Sequence, residues 1–495
     1  MTRPCTGPHG LTSAEAPQQC RVAVVGAGLA GLETARHLAL AGVDDVVVLE
    51  AGPLGDPRHN NVAGPERRAL SHWLAPEHDP YFRRPWLAAD PPHYERGSGL
   101  RQRVGGRSLY WYGVLLPADD WALTAPWWPQ QVVADLTRSL YTDVTEDLRR
   151  WGGPPQPAAE CAVDLAGYRL RPTPSAVRAG QGGWFAYSPL DHWRDPQTGT
   201  RIAGPGGVQI VADCGIDAVH VERGRARGVR LQRTGRVVRA DAVVLAAGTV
   251  ENSRLALGAL GADRLTGLAD HITQGVFIRF DGAAAARVRS ELPPGSYYTP
   301  MPAALRSNLF LDVTDRGEGN LLIDLRLTGE QMPSPYSSVD ALPHGGVTAR
   351  VRLTDDDHAL VSAQREAITG IWSSLPAHWQ ANGQLIFAPF DQPDRTNRAL
   401  LDSTVDRAPG GHPVTWSSPL GTEDHEGGTL GLGTILDDNH QFHAVEGLYA
   451  AGPSTFPRLG AANPGLTTLA LARRLAARLQ RALAVSPRTT ESDPS

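Results

Sequence analysis

The first residues whose types and spacing can do chemistry are three glycines and an acid. Gly26-Ala27-Gly28-Leu29-Ala30-Gly31 follows directly on an apolar stretch, Arg21 to Val25. It precedes a run with apolar positions at Leu32, Ala35 and Leu38 or Ala39, and Val46 to Leu49 then ends at Glu50 and Ala51. The pattern predicts strand, glycine turn, helix, second strand and terminal acid. Gly26 permits the tight turn, Gly28 admits a pyrophosphate against bare backbone, and Gly31 lets helix and strand pack closely. The helix start at Leu29 and Ala30 offers free N–H groups and a positive dipole to phosphates. Glu50, 19 residues after Gly31, is placed to accept hydrogen bonds from ribose hydroxyls, which disfavours NADP. The acid alone leaves NAD and FAD both open.

Three further segments bear on the cofactor. Arg103 to Gly113 reads RVGGRSLYWYG. Gly105 and Gly106, followed by Arg107 and Ser108, suit a loop that sets backbone N–H groups against a phosphate or a ring. An ordinary turn is the competing reading. From Gly207 through Ile216 to Val237 the chain reads as short strands, closing with Ala240 to Leu257. There Val243 to Leu245 predicts a buried strand, Ala246, Ala247 and Gly248 its close-approach end, and Glu251 to Leu257 a helix. Near the C-terminus a strand from Gly447 to Ala451 ends in Gly452-Pro453, where backbone can meet a ligand without an intervening side chain.

These segments resemble the glucose–methanol–choline (GMC) oxidoreductase superfamily, most closely the branch containing pyranose oxidase. The matching stretches are VVGAGLAGLE…VVVLEAG, VGGRSLYW, VVLAAGTVENSRLAL, HEGGTLGLG and LYAAGPSTFPRLGAANPGLTTLALA, in the family's order. The resemblance implies FAD, and no second GxGxxG is present for a nicotinamide. It implies an α/β fold: a Rossmann-like, three-layer FAD-binding domain and a substrate domain built on an antiparallel sheet, discontinuous in sequence. Expected cofactor contacts are Gly26, Gly28, Leu29, Ala30, Gly31, Glu50, Ala51, Gly105, Gly106, Arg107, Ser108, Tyr110, Trp111, Ile216, Ala247, Gly248, Glu251, Gly452, Pro453, Asn463 and Pro464.

Alcohol oxidation by a flavin removes a hydroxyl proton and a hydride. A base near its working pKa favours histidine. Among 16 histidines, His425 opens a stretch resembling the family's H-x-x-G-x-x-x-M-G, whose histidine is the active-site base; Leu432 replaces the methionine. His440 and His443, in DDNHQFHAVEG, are expected to be exposed. Asn463 and Pro464 are what any helix start prefers, as N-cap and first helical residue. Leu466, Leu469, Ala472, Leu475 or Ala476 and Leu479 supply that helix's apolar stripe. The resemblance adds that Asn463 shares the substrate hydroxyl with His425. The helix N-terminus carries roughly half a positive charge, which would steady negative charge arriving on a flavin ring. Tyr110 stands where covalently flavinylated relatives carry histidine, so non-covalent FAD is expected.

The elements that must position these residues divide the chain. Residues 20–120, 200–271 and 440–485 are assigned to the FAD-binding domain and 121–199 and 272–439 to the substrate domain, with tails at 1–19 and 486–495. Strands are expected at Gly275–Phe280, Leu321–Leu327, Val347–Leu353 and Leu385–Phe390. Trp184, Phe185, Phe387 and Phe390 are candidates to stack on a sugar ring, against the commoner reading as core.

With 495 residues and 41% apolar composition the chain can bury a large core. A net charge of -5 with no basic run disfavours nucleic acid. All 47 basic residues are arginine, which excludes a lysine Schiff base. Cys5, Cys20, Cys161 and Cys214 form no CxxC pair, against redox-dithiol and zinc sites, and no metal is expected. No apolar run reaches membrane length. The expectation is a soluble cytoplasmic enzyme oxidising a secondary alcohol of a sugar, glycoside or polyol, as a tailoring step in specialised metabolism. Its electrons would pass to oxygen or another acceptor. A non-redox lyase on the same scaffold and a flavin-binding protein without activity are the alternatives.

Overall fold

The computed structural model describes residues 11–12, 16–63, 72, 75–152, 162–180, 183–317, 319–343, 345–379, 383–391 and 404–485. Its fold is mixed α/β: a parallel-rich sheet carries the glycine motif, and an antiparallel sheet is assembled from discontinuous strands.

The strand Gln19–Val25 is buried over its last four residues, and Val46–Leu49 over all four. Both lie inside a sheet covered on its two faces, so apolar residues run on without alternation. Val22–Val25 pairs in parallel with Val46–Leu49 on one side and with Ala242–Leu245 on the other. Leu448–Ala450, from the far end of the chain, pairs in parallel with Val243–Leu245. The two chain ends therefore meet at the carboxyl ends of neighbouring strands, where ligands bind in open α/β sheets.

Helices fix that meeting. Leu32, Ala35 and Leu38 of helix Leu29–Leu40 share one core with Leu475, Ala476 and Leu479 of helix Gly465–Val485. Within this contact Arg473 Nε donates to Glu33 Oε1 at 2.7 Å, and Tyr187 Oη donates to Glu33 Oε2 at 3.0 Å.

The antiparallel sheet runs Pro413–Ser417, His271–Phe280, Asn320–Glu330, Ser307–Gly317, Gly295–Pro300, Tyr168–Pro172, Val163–Leu165. Helix Asp355–Ser374 packs against it, begun by a capping box in which Thr354 and Asp357 satisfy each other's backbone N–H groups. Register places His271 opposite Glu330. Glu330 is fully buried and holds Arg458 with contacts of 2.8–3.0 Å, while its Oε1 also accepts Gly460 N–H at 2.8 Å. One buried ion pair thus ties this sheet to the loop entering the C-terminal helix.

Several expectations need correction. Within the span 1–19 assigned to a tail, Leu11–Thr12 pairs in parallel with Ile210–Val211, while residues 1–10 and 13–15 lie outside the described residues. The Arg236 guanidinium grips the carbonyls of Ala16 and Pro17, holding the approach to the first long strand. Residues 486–495, Cys5 and Cys161 lie outside the described residues. Val347–Arg350 is a strand, but it belongs to a separate four-stranded sheet beside Ser338–Ala341 and Trp86–Ala88. Leu385–Phe390 forms no strand; the Ile386 carbonyl accepts from the Thr415 hydroxyl at 2.5 Å instead of joining a backbone ladder. Among the described residues no helix is long and apolar enough to cross a membrane.

Removing one member of a buried ion pair costs about 3–5 kcal/mol, because the other charge is left uncompensated. Arg458→Met is therefore expected to lower the thermal unfolding midpoint by several degrees, read by calorimetry on the FAD-loaded protein. An unchanged midpoint would show that the Glu330 clamp does not carry this junction.

Candidate active site

A cavity opens at the carboxyl ends of the parallel strands, where the two chain ends meet. Gly28, Glu50 and Gly106 contribute from the N-terminal half, Gly452, Asn463 and Pro464 from the C-terminal end. Of the expected cofactor residues, all line it except Gly31 and Gly105.

Those two serve the walls. A Cβ on Gly31 would sit 2.0 Å from the Gly26 carbonyl oxygen, so Gly31 is the close-packing glycine. Gly105 has φ +96° and donates its N–H to the Ala27 carbonyl at 2.8 Å, docking the second glycine loop on the first. Gly28 is different in kind. A Cβ there would meet no protein atom within 4 Å, and no side chain caps the helix that starts at Leu29. Bare backbone and uncapped N–H groups face the cavity, the cradle a pyrophosphate needs.

Glu50 accepts from Ala27 N–H at 2.9 Å and from Gly52 N–H at 2.8 Å. Burial pushes its carboxyl up to about 7 against the opposing pull of these donors. Glu251 lines the same cavity, its Oε1 held by Arg254 at 2.7 Å and its Oε2 buried without a partner among the described residues. Asn252, which the sequence did not single out, locks the floor. Its Oδ1 accepts from Ala247 N–H at 2.8 Å, and its Nδ2 donates to the Ala451 carbonyl and Ser454 Oγ at 3.1 and 2.9 Å.

At the other end stands His425. Its segment is zipped into place by backbone bonds: Gly427 pairs with Ala269, and Gly428, Leu430 and Leu432 donate to Pro453, Ser454 and Thr455. Gly428 has φ +78°, and a Cβ there would lie 2.0 Å from the Gly267 carbonyl oxygen, so no other residue fits. Arg107 lines the cavity, but its guanidinium is committed to Glu426 at 2.5 and 2.6 Å, Asp424 at 3.1 Å and the Gly99 carbonyl at 2.7 Å. It grips the residues on both sides of His425. Ser108 likewise bonds its own turn, through Gly105 O at 2.6 Å, and Ser188 Oγ at 2.7 Å.

The His425 ring meets two side chains. Its Nε2 lies 3.2 Å from Asn463 Nδ2, and its Nδ1 lies 2.9 Å from His271 Nδ1. His271 Nε2 lies 3.0 Å from the Gly460 carbonyl oxygen. The Asn463 carboxamide faces the histidine, and its Oδ1 is buried without a partner among the described residues. Burial first, then His271, Arg107 and Arg326, hold the His425 imidazole well below its ordinary value, so the ring is neutral. Burial lowers His271 to about 4.

Other expectations fall differently. His440 is fully buried, not exposed; at φ +68° it turns inward beside Arg474, and burial lowers it to about 3. His443 is exposed. Phe185 and Phe390 are core residues, and neither they nor Trp184 and Phe387 line the cavity; Tyr110, Trp111 and Tyr112 do.

Residues 21–323 match the family described as FAD dependent oxidoreductase, and residues 339–472 match GMC oxidoreductase. The chain is a GMC-type FAD-dependent oxidoreductase. Members of this family bind a substrate and an electron acceptor. No curated protein matches the sequence. Among solved structures, an FAD-dependent oxidoreductase from Chaetomium thermophilum aligns with TM-score 0.63 at 15% identity, covering 94% of this chain and all of its own. Pyridoxine 4-oxidase from Mesorbium loti aligns with TM-score 0.55 at 16% identity, covering 95% of this chain and all of its own. At such identities the likeness is one of fold. The residues present suit the cofactor: an open glycine cradle at Gly28, uncapped helix N–H groups, and orphaned buried oxygens on Glu251 and Asn463.

The two glycines should part company on substitution. Gly28→Ala is expected to fold, with unchanged circular dichroism, yet to weaken FAD binding at least about tenfold, or about 1.4 kcal/mol. Gly31→Ala should fail to fold, because its Cβ collides with backbone. Titration of the apo proteins with FAD checks both; undiminished binding by Gly28→Ala would contradict the cradle.

Proposed function

We propose that this GMC oxidoreductase oxidises a secondary alcohol of a sugar, glycoside or polyol, with His425 as the base that takes the hydroxyl proton. The observation that carries this reading is the half-buried, neutral His425 ring 3.2 Å from Asn463 at the cavity wall. A hydroxyl bridging His425 Nε2 and the Asn463 carboxamide would present its proton to the histidine. The orphaned Asn463 Oδ1 supports a polar ligand at that spot.

Glu50, Gly28 and the Leu29 helix start would hold the adenosine and pyrophosphate of FAD, and Gly452, Pro453 and Pro464 would border its ring. When bound, FAD supplies the acceptor for the hydride that leaves the carbinol carbon. The start of the Gly465–Val485 helix brings its positive end to this region, favouring negative charge there. Asn463 would orient the hydroxyl and His425 would remove its proton, with Trp111 and Tyr110 lining the same cavity. Oxygen or another acceptor would complete the cycle.

The sugar class and the pyranose-oxidase branch rest on the resemblance of the five ordered motifs, and a tailoring role on the Ala-, Gly-, Pro- and Arg-rich composition that a GC-rich genome gives. Non-covalent FAD rests on Tyr110, whose phenol is buried, raised above its ordinary value by that burial, and 3.4 Å from an Arg103 donor. A protonated phenol is a poor nucleophile.

Two measurements test this reading. His425→Ala should bind FAD and stay yellow, yet lose at least about 100-fold in anaerobic bleaching rate with substrates found by screening sugars, glycosides and polyols against the native enzyme. Normal bleaching by the variant would overturn the assignment, and an enzyme that turns substrate over without bleaching would be a lyase. Acid precipitation should release the yellow colour into the supernatant; colour retained in the pellet would mean a covalent link.

A further inference from the structure

His271 stands behind His425 and does not line the cavity; with burial holding both rings neutral, the Gly460 carbonyl sets the direction of the hydrogen bonds that link them. The Gly460 carbonyl can only accept, so His271 Nε2, at 3.0 Å, must carry a proton. A neutral imidazole has one N–H, so His271 Nδ1 presents a lone pair. The contact at 2.9 Å between the two Nδ1 atoms then requires His425 to donate from Nδ1. His425, itself neutral, is left with its lone pair on Nε2, where Asn463 Nδ2 donates to it at 3.2 Å. The four groups form one chain of donors running from Asn463 to Gly460.

We propose that His271 is the positioning residue of this active site, fixing His425 in the tautomer whose Nε2 lone pair faces the substrate. Without an acceptor at its back, His425 would be free to carry its proton on Nε2, the nitrogen that must receive the hydroxyl proton. The acceptor is unusual because it is an uncharged ring rather than a carboxylate. The carboxylates nearby are occupied elsewhere: Asp270 accepts from His271 N–H at 2.8 Å and Gly421 N–H at 2.5 Å, Asp424 and Glu426 pair with Arg107, and Glu330 pairs with Arg458. With Arg107 and Arg326 both raising the positive field at His425, a neutral partner orients the ring without fixing a charge on it. His271 is anchored as the first residue of a strand paired on both sides, opposite Glu330. Its Gly460 anchor is held by the same Glu330.

The inference rests on the reading of His425 as base, and the experiment separates the two. Long-range proton–nitrogen NMR of the full FAD-loaded chain, labelled at histidine and assigned with His425→Asn and His271→Asn, reports the tautomer whether or not any alcohol is oxidised. The expected result is His425 protonated on Nδ1 and His271 on Nε2; His425 protonated on Nε2 in the native enzyme would overturn the proposal. Three variants add a kinetic arm. His271→Asn keeps an acceptor near Nδ1 but loses the Gly460 bond, His271→Gln keeps reach to Gly460 without an acceptor at that position, and His271→Leu keeps neither. Tautomer control predicts that His271→Asn recovers to within about tenfold of native kcat. His271→Gln and His271→Leu should lose roughly 100- to 10,000-fold in kcat at little-changed KM, as wrong-tautomer histidines do elsewhere. A purely structural role would reverse the order of Asn and Gln, and that reversal would also overturn it.

Discussion

The candidate site depends on one constraint: His425, the proposed base, sits half-buried beside cations, and among the described residues no carboxylate bonds its ring. Desolvation removes the charged form of His425 from reach, and Arg107 and Arg326 push the same way. A neutral imidazole withdrawn from water still has a donor and an acceptor to satisfy. Asn463 and His271 meet that need from opposite sides. Everything else that brings those three residues together, from the Glu330–Arg458 pair to the Arg107 grip on Asp424 and Glu426, serves this arrangement.

The division between the chain ends follows from the same geometry. The N-terminal half provides backbone: Gly28, the uncapped helix start and the loop at Gly106, whose Cβ would lie 3.1 Å from Gly28 Cα. The C-terminal end provides side chains, with Asn463 at the mouth of the last helix and His425 zipped against the Pro453–Thr455 turn. Both are attached to the parallel sheet through strands that pair with Val237–Leu245, so the glycine loop and His425 are held by one sheet. The antiparallel sheet enters this frame at its first residue of consequence, His271.

What the sequence reveals and conceals divides by distance along the chain. The glycine motif, the strand Val46–Leu49 and the apolar stripe of the last helix were legible because each is encoded within a few turns of backbone. Gly31 was legible as a packing glycine for the same reason. The Arg107–Glu426 pair spans 319 residues, the Arg458–Glu330 pair 128 and the His271–His425 contact 154. No local pattern announces such partners. Leu385–Phe390 has the composition of a strand, but a strand exists only where another backbone completes its ladder. His440 sits among polar residues, yet a left-handed turn drives it into the interior. For Phe185 and Phe390 the commoner reading as core residues is the one the structure gives.

As the proposed base, His425 stays uncharged well below the ordinary histidine range, and pH tests this directly. A group whose pKa is lowered in the folded protein stays deprotonated until the pH falls to that lowered value. The measurement is the anaerobic flavin bleaching rate at saturating substrate and FAD, followed from pH 8 to pH 5. The account predicts a rate that holds steady through pH 6.5, the ordinary histidine value, and falls only in more acidic solution. A rate that drops tenfold per pH unit beginning near 6.5 would contradict it, because His425 would then be titrating as a solvated histidine.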